Sequence, residues 1–346
     1  MRRSGCDQRV SSKSLNMVVC NKVSDVRSTT TAWVFPGQGS QFVGMGRELY
    51  AHSSVAREVF EQADAALGLN LTRLCFEGPE SELTATENAQ PALLTVSVAL
   101  IRMLNTVTDS DCAMTHPGVV AGHSLGEYAA LVAGGALDFL TALRLVRRRG
   151  ELMAAAREGT MAAIMGLDED TLDHTCREVA DAIADSASMD KAVVIANYNA
   201  PGQFVISGTP PAVKRVCALA KERGARRALP LKVSAAFHSP MMSDAARGMA
   251  VAIENAAIHD LCIPLVGNVS AEMLLYAGDI RHELVAQIVE PVRWIASVEQ
   301  MAAQGFTTFV EVGPGSVLTG LIKRILPDVQ TLNISKVEDV YAFVQG

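Results

Sequence analysis

A basic surplus is missing from this sequence. Lys and Arg number 30 against 37 Asp and Glu, a formal net charge of −7, and a nucleic-acid binder would carry the opposite balance. Patterned cysteines are missing too. Cys6, Cys20, Cys75, Cys112, Cys176, Cys217 and Cys262 are scattered, with no C-x-x-C and no clustered histidines. Such a set reads as free thiols in a reducing compartment, not as a disulfide frame or a zinc site. No apolar run approaches the roughly 18 residues that span a bilayer. The best candidate, Leu93 to Leu104, is too short, and Gln90-Pro91 in front of it reads as a helix start. Aromatic residues make up only 5%, so core volume must come from Ala, Val, Leu and Met. The N-terminus has no apolar h-region, which argues against secretion.

What is present is a chain of 346 residues, about half of them apolar and 19% charged. That length suits one large α/β domain, alone or with a smaller insert. Residues 1–30 stand apart: Arg2, Arg3, Arg9, Lys13, Lys22 and Arg27 lie among Ser and Thr, with only Asp7 and Asp25 as acids. A mitochondrial or plastid transit peptide has this composition. So does a disordered tail, or a start placed too early, with Met17 as the true one. The cytoplasm is the expected compartment, with a mitochondrion or plastid as the alternative if residues 1–30 are a transit peptide.

Ordered structure is expected from Thr31. Thr31 to Phe35 reads as a strand stopped by Pro36-Gly37, followed by helical patterning from Gly46 to Leu67 and Pro91 to Leu104. A brief strand, Gly118 to Ala121, leads into a helix from Leu125 to Gly134, and Phe139 to Ala156 has a strong 3.6-residue period. The texture then changes. Met161–Leu167, Ala192–Tyr198, Phe204–Ser207 and Arg227–Val233 read as strands, with helices over Thr171–Ala184 and Pro211–Arg223. The resulting β-α-β-β-α-β order is that of a ferredoxin-like unit. The expected organisation is a large α/β domain over 31–159 and 234–346, with a ferredoxin-like subdomain over 160–233. In the final part, Ile263–Val269 and Thr307–Val312 read as strands, with helices to Asn255, to Gln304 and over Ser316–Leu326.

Gly122-His123-Ser124-Leu125-Gly126 matches G-x-S-x-G between a short strand and a helix. In that context the turn thrusts Ser124 out at a helix N-terminus, where backbone N–H groups favour an oxyanion. The alternative is a glycine-rich turn whose serine caps the helix. A serine nucleophile needs a base. His52, His174, His259 and His282 sit in polar or helical surroundings, His116 precedes a proline turn, and His123 is side by side with Ser124 on a tight turn, better placed to pair locally. His238 lies in the small-residue loop Ser234-Ala235-Ala236-Phe237-His238-Ser239-Pro240, where the chain re-enters the large domain. It is the candidate base, or else it only caps or packs the next helix. In Phe35-Pro36-Gly37-Gln38-Gly39-Ser40-Gln41 two glycines expose the Gln38 amide. With the Leu125 amide it could form an oxyanion hole, or the loop is merely a flexible turn. Glu311-Val312-Gly313-Pro314-Gly315 reads as a structural turn.

One arginine is out of place. Ala142, Leu145, Val146, Leu152 and Met153 form an apolar stripe, and Arg149 falls on it while Arg144, Arg147 and Arg148 fall largely off it. An inward guanidinium must be paired. Its partner is either an internal carboxylate or a substrate carboxylate, as in a dicarboxylic half-thioester such as malonyl.

In combination these motifs, with Arg149-Gly150 and Asn197-Tyr198-Asn199-Ala200-Pro201-Gly202-Gln203, resemble the malonyl-CoA:acyl carrier protein transacylases of dissociated fatty-acid synthesis, from about Thr31 to Asn333. The resemblance implies an α/β-hydrolase-like core with the ferredoxin-like insert. It implies Ser124 as nucleophile, His238 as base, Arg149 on the malonyl carboxylate and the Gln38 and Leu125 amides on the oxyanion. It further implies that the backbone carbonyl of Gln287 orients His238 and that Asn199 lines the pocket. Ala236-Phe237 resembles the malonyl-selective form of the loop before the histidine.

The implied substrates are malonyl-CoA and acyl carrier protein, supplying chain elongation. No metal or other cofactor, no nucleic acid and no membrane is implied, and the chain is expected to act as a monomer. Because carrier proteins are acidic, Arg147, Arg148, Lys323 and Arg324 are candidates for a basic docking patch. A serine esterase or thioesterase, a non-catalytic carrier-binding module and an acyltransferase with another acyl preference are the competing readings.

Overall fold

The computed structural model describes residues 29–107, 116–156, 158–183, 193–233 and 235–345. Apart from Thr29 and Thr30, the expected N-terminal extension lies outside the described residues, as does Ser234 of the histidine loop. The strands in chain order are β1 (Thr31–Phe35), β2 (Val119–Gly122), β3 (Thr160–Met165), β4 (Val193–Ala200), β5 (Gln203–Gly208), β6 (Arg227–Pro230), β7 (Leu265–Val266), β8 (Met273–Leu274), β9 (Thr308–Val312) and β10 (Gln330–Ile334).

Two sheets form. The larger has the order β10-β9-β1-β2-β7-β8, parallel except at the β7–β8 edge. Every residue of β1, β2 and β9 is buried. Helices cover both faces of a parallel sheet, so its central strands are buried without alternation. The smaller sheet has the order β4-β5-β3-β6 and is antiparallel throughout. With helices Glu169–Ile183 and Pro210–Glu222 it completes the β-α-β-β-α-β unit. It carries a core of its own, built from Ile164, Leu172, Phe204, Ile206 and Val216. The fold is therefore the expected α/β core with a ferredoxin-like insert.

Several boundaries differ from the sequence reading, each for a local reason. The segment Gly46–Leu67 breaks into helices Arg47–His52 and Ser54–Leu67, because Ser53 is extended and its hydroxyl accepts the Ala56 N–H at 3.3 Å as a cap. The strand expected over Ile263–Val269 shortens to Leu265–Val266, since Asn268 turns its hydrogen bonds toward the serine turn. The strand expected to reach Val233 ends at Pro230, although Leu231 still donates its N–H to the Met161 carbonyl at 2.9 Å. Helices Leu71–Glu77, Glu80–Thr84 and Val337–Gln345, and strands β8 and β10, have no counterpart in the sequence reading.

The largest difference concerns Pro91. It does not start a helix but lies inside one, Thr86–Val107, of 22 residues. An internal proline orphans the carbonyl four residues back. That carbonyl belongs to Glu87, and Arg147 Nη1 donates to it at 3.0 Å. By length and composition this helix could cross a membrane, yet it is mostly buried inside the protein. Arg147 is thereby committed: it also bonds Asn88 Oδ1 at 2.9 Å and Glu151 at 2.7 Å. It leaves the docking candidates, whereas Arg148, Lys323 and Arg324 are exposed.

Helix Phe139–Ala155 packs on Thr86–Val107, and at Gly150 the backbones approach so closely that an added Cβ would lie 2.6 Å from Glu87 Cα. In Gly150→Ala, overpacking of about 1–3 kcal/mol outweighs the ~1 kcal/mol that alanine gains in helix propensity. The variant is expected to unfold at lower urea concentration. A midpoint at or above that of the native chain would show that these backbones separate without cost.

Candidate active site

The chain leaves β2 at Gly122 and re-enters the helix Gly126–Ala133 by the shortest possible turn. A Cβ at Gly122 would lie 2.0 Å from the Gly126 carbonyl carbon, and one at Gly126 would lie 2.1 Å from Phe35 O. Only hydrogen fits at either place. Between them Ser124 takes a left-handed conformation, φ 51°, a region that side chains other than glycine rarely occupy. Ser124 does not cap the helix that follows, which has no side-chain cap. Its Oγ instead lies 2.8 Å from His238 Nε2 and 3.0 Å from Arg149 Nη2.

His238 is buried and also left-handed, φ 54°. Its Nδ1 lies 2.7 Å from the Gln287 carbonyl oxygen. A carbonyl only accepts, so Nδ1 carries the proton and Nε2 presents its lone pair to the serine hydroxyl. Burial, and after it the Arg149 charge, push His238 down to about 3, against the opposing pull of the Gln287 carbonyl. The imidazole is therefore neutral at ordinary pH. His123 turns away to Asn199 Oδ1 at 2.8 Å and packs near Trp294. His52, His116, His174, His259 and His282 are exposed.

Arg149 is 1% exposed. Among the described residues no carboxylate pairs with it directly. Nη1 donates to Gln90 Oε1 at 2.9 Å, Nη2 donates to Gln287 Oε1 at 2.9 Å and to Ser124, and Nε has no partner. Burial lowers its affinity for the proton, while Tyr128 and Glu127 oppose that effect. The Gln287 side chain bridges onward: its Nε2 donates to Ser124 O at 3.0 Å and to Glu127 Oε2. Burial, and then the nearby Glu283 carboxylate, raise Glu127 well above the usual carboxylate range.

A second path starts from Gln90. Its Nε2 donates to Thr86 Oγ1 at 3.1 Å, and Thr86 Oγ1 donates to Gln38 Oε1 at 2.9 Å. This chain of bonds ties the Gln38 loop to the arginine. That loop is closed from within by Gln41, which accepts the Gly39 N–H at 2.7 Å. Among the described residues no acceptor pairs with the backbone N–H of Gln38 or Leu125.

Ser124, His238, Arg149, Gln38, Leu125 and Asn199 all line one cavity of ≈ 340 Å³, a volume suited to a small acyl group and part of its carrier. A larger cavity of ≈ 510 Å³ opens on the other side of His238, under Tyr198 and Arg293, and does not reach Ser124. Gln287 stands behind the histidine and the arginine. Glu311 is a buried structural group, accepting the N–H groups of Leu318 at 3.1 Å and Thr319 at 2.7 Å at the start of helix Val317–Ile325.

Four participants escaped the sequence reading: Gln90, Glu127, Asn268 and the Gln287 side chain. Glu127 had a signal, as the single charge in the otherwise apolar helix Gly126–Ala133. Gln90 had a weaker one, as a polar residue before a long apolar run. Asn268 had none, lying inside the strand expected over Ile263–Val269.

Residues 32–339 match the model of the acyl transferase domain. The malonyl CoA-acyl carrier protein transacylase of Bacillus subtilis is 44% identical over 317 residues, covering 91% of this chain and 96% of that protein. An acyl carrier protein S-malonyltransferase from Vibrio cholerae superposes with a TM-score of 0.84 at 40% identity, covering 91% of this chain and 99% of that one. A structure of a type II PKS acyl-carrier protein in complex with its malonyl-transacylase gives the same TM-score and identity over the same coverage. This chain belongs to the acyl transferase domain family.

Proposed function

We propose that this chain is an [acyl-carrier-protein] S-malonyltransferase, moving malonyl from malonyl-CoA to the phosphopantetheine thiol of acyl carrier protein and so supplying fatty-acid chain elongation. The observation that carries the reading is a single hydroxyl held between a neutral imidazole, 2.8 Å away, and a buried guanidinium, 3.0 Å away. His238 Nε2 takes the Ser124 proton as Oγ attacks the thioester carbon. The Gln38 and Leu125 amides receive the carbonyl oxygen as it becomes an oxyanion. The C–S bond then breaks, and His238 returns the proton to the CoA thiolate. Malonyl remains as an ester on Ser124. The carrier thiol repeats the sequence in reverse, losing its proton to His238 and displacing Ser124 Oγ. Nothing is oxidised or reduced in either step.

Arg149 is the selectivity group. Its Nη atoms donate to two neutral carboxamides and the Ser124 hydroxyl and its Nε has no partner, which leaves its charge for a substrate carboxylate. Acetyl-CoA has no such group to offer. The carbonyl behind His238 favours transfer over the hydrolase alternative, in which a carboxylate usually stands behind the histidine. The domain limits 31–159 with 234–346, and 160–233, belong to the same proposal, as does a bacterial cytoplasmic compartment, which fits the bacterial relatives.

Brief incubation with malonyl-CoA should add one malonyl group, visible by intact-protein mass spectrometry and discharged by carrier-protein thiol. Ser124→Ala should show no adduct. Arg149→Ala should narrow the preference for malonyl over acetyl by on the order of 10²- to 10⁴-fold. Free malonate without transfer would identify a hydrolase instead, and no adduct at all would identify a carrier-binding module.

The pH profile offers a separate check. His238 titrates near 3 in the folded chain, below its ordinary value of 6.5. The acylation rate should therefore stay level as pH falls through the range where a free histidine would protonate. A lowered folded value also fixes the sign for stability: the contribution is complete above the unfolded value and is lost as pH falls below it. Thermal unfolding of His238→Gln should accordingly lose less stability on acidification than that of the native chain. An acid limb in the free-enzyme rate near the ordinary histidine value would contradict this assignment.

A further inference from the structure

Beyond the end of β2 the polypeptide turns out of the sheet; Gly122 still pairs with Phe35 of β1, but on the β7 side Gly122 and Ser124 have no partner strand. β7, which pairs with β2 through Leu265 and Val266, has also ended. One side chain takes over both bonds. Asn268 Oδ1 accepts the Ser124 N–H at 2.6 Å, and Asn268 Nδ2 donates to the Gly122 carbonyl at 2.6 Å. The orientation of the carboxamide is fixed by its partners, since an N–H can only donate and a carbonyl can only accept. The Asn268 backbone is committed as well: its N–H donates to Glu127 Oε1 at 2.6 Å, and its carbonyl accepts the Arg293 N–H at 2.9 Å. The residue is wholly buried.

The side-chain amide thus stands in for the peptide unit of a neighbouring strand, clamping the residues on either side of His123. Between those bonds Ser124 is held at φ 51°, from which Oγ reaches His238 Nε2. We propose that Asn268 is a positioning residue for the transfer reaction. Its carboxamide, acting as donor and acceptor at once, holds Ser124 in the left-handed turn that aims Oγ at the histidine. The inference rests on Ser124 being the nucleophile, as proposed above.

Aspartate tests the donor-and-acceptor requirement, because it has the same shape. Ionised, it keeps the Ser124 bond but turns an acceptor toward the Gly122 carbonyl. Protonated, it restores both bonds. The titratable groups around the position are Glu127 from the following helix, Glu283 across Gly267 and Val269, His123 and His238 flanking Ser124, and Arg149 behind Gln287. Two carboxyl groups and full burial favour a proton on an introduced aspartate. In the native chain burial and Arg149 hold His238 down at about 3, below the pH range of the assay.

The experiment is single-turnover formation of malonyl-enzyme by the native chain, N268A and N268D, followed by mass spectrometry between about pH 5.5 and about pH 8.5. N268A should acylate roughly 100-fold more slowly, with half-saturation by malonyl-CoA nearly unchanged. The rate of N268D relative to the native chain should climb as pH falls, by up to roughly tenfold per pH unit while the aspartate remains ionised. A ratio that does not change with pH overturns the proposal, even if N268A fails to fold. So does an N268A whose loss lies entirely in half-saturation. A native chain that forms no malonyl adduct overturns the nucleophile reading, and this inference falls with it.

Discussion

A positive charge buried without a carboxylate directly against it is the constraint on which this structure turns. Removing a guanidinium from water costs several kcal/mol even after the surroundings relax. Here Arg149 donates to Gln90, Gln287 and the Ser124 hydroxyl, all neutral. Those partners lie on three different segments, so packing has to bring the segments together before the arginine can be satisfied. Gly150, next in sequence, permits the close approach of helix Phe139–Ala155 to Thr86–Val107 that puts Gln90 within reach. Glu127 contributes at longer range, through Gln287, and its own ionisation is opposed by burial. The result is a charge held in place but not cancelled, which suits a site for a charged ligand.

The proposed nucleophile and its proposed base meet under a second constraint. Ser124 and His238 both adopt positive φ, and both sit where one element hands over to another. Such conformations persist only where surrounding bonds over-determine them. On the serine side these are the contacts from Asn268 and Gln287. On the histidine side the Gln287 carbonyl fixes the tautomer. Gln287 therefore serves both halves of the pair, with its backbone toward the histidine and its side chain toward the arginine and the serine carbonyl. A carbonyl in that position orients the imidazole without adding a negative charge, so burial and Arg149 keep the ring neutral.

Much of this was readable in advance, and the reasons are local. The strand-turn-helix around Ser124 is dictated by glycines at fixed spacing, because no other residue fits those contacts. The ferredoxin-like unit follows from apolar periodicity and turn residues, which act over a few positions. Arg149 stood out because a helix converts spacing into direction, and its place on an apolar stripe implied burial. Pro91 was misread for the complementary reason. Proline usually marks a helix start, but here the orphaned Glu87 carbonyl is taken by Arg147, which lies far along the chain.

The sequence by itself determined the fold class, the elbow serine, the inward arginine and, by family resemblance, the chemistry. These depend on period, spacing and the steric limits of single residues. Only the tertiary structure decided which polar groups meet. Gln90, Glu127, Asn268 and the Gln287 side chain carry no distinctive spacing relative to Ser124, from which they lie up to 163 positions away. Their partnership comes from the burial of unpaired hydrogen-bonding groups, whose cost is settled only when distant segments pack together.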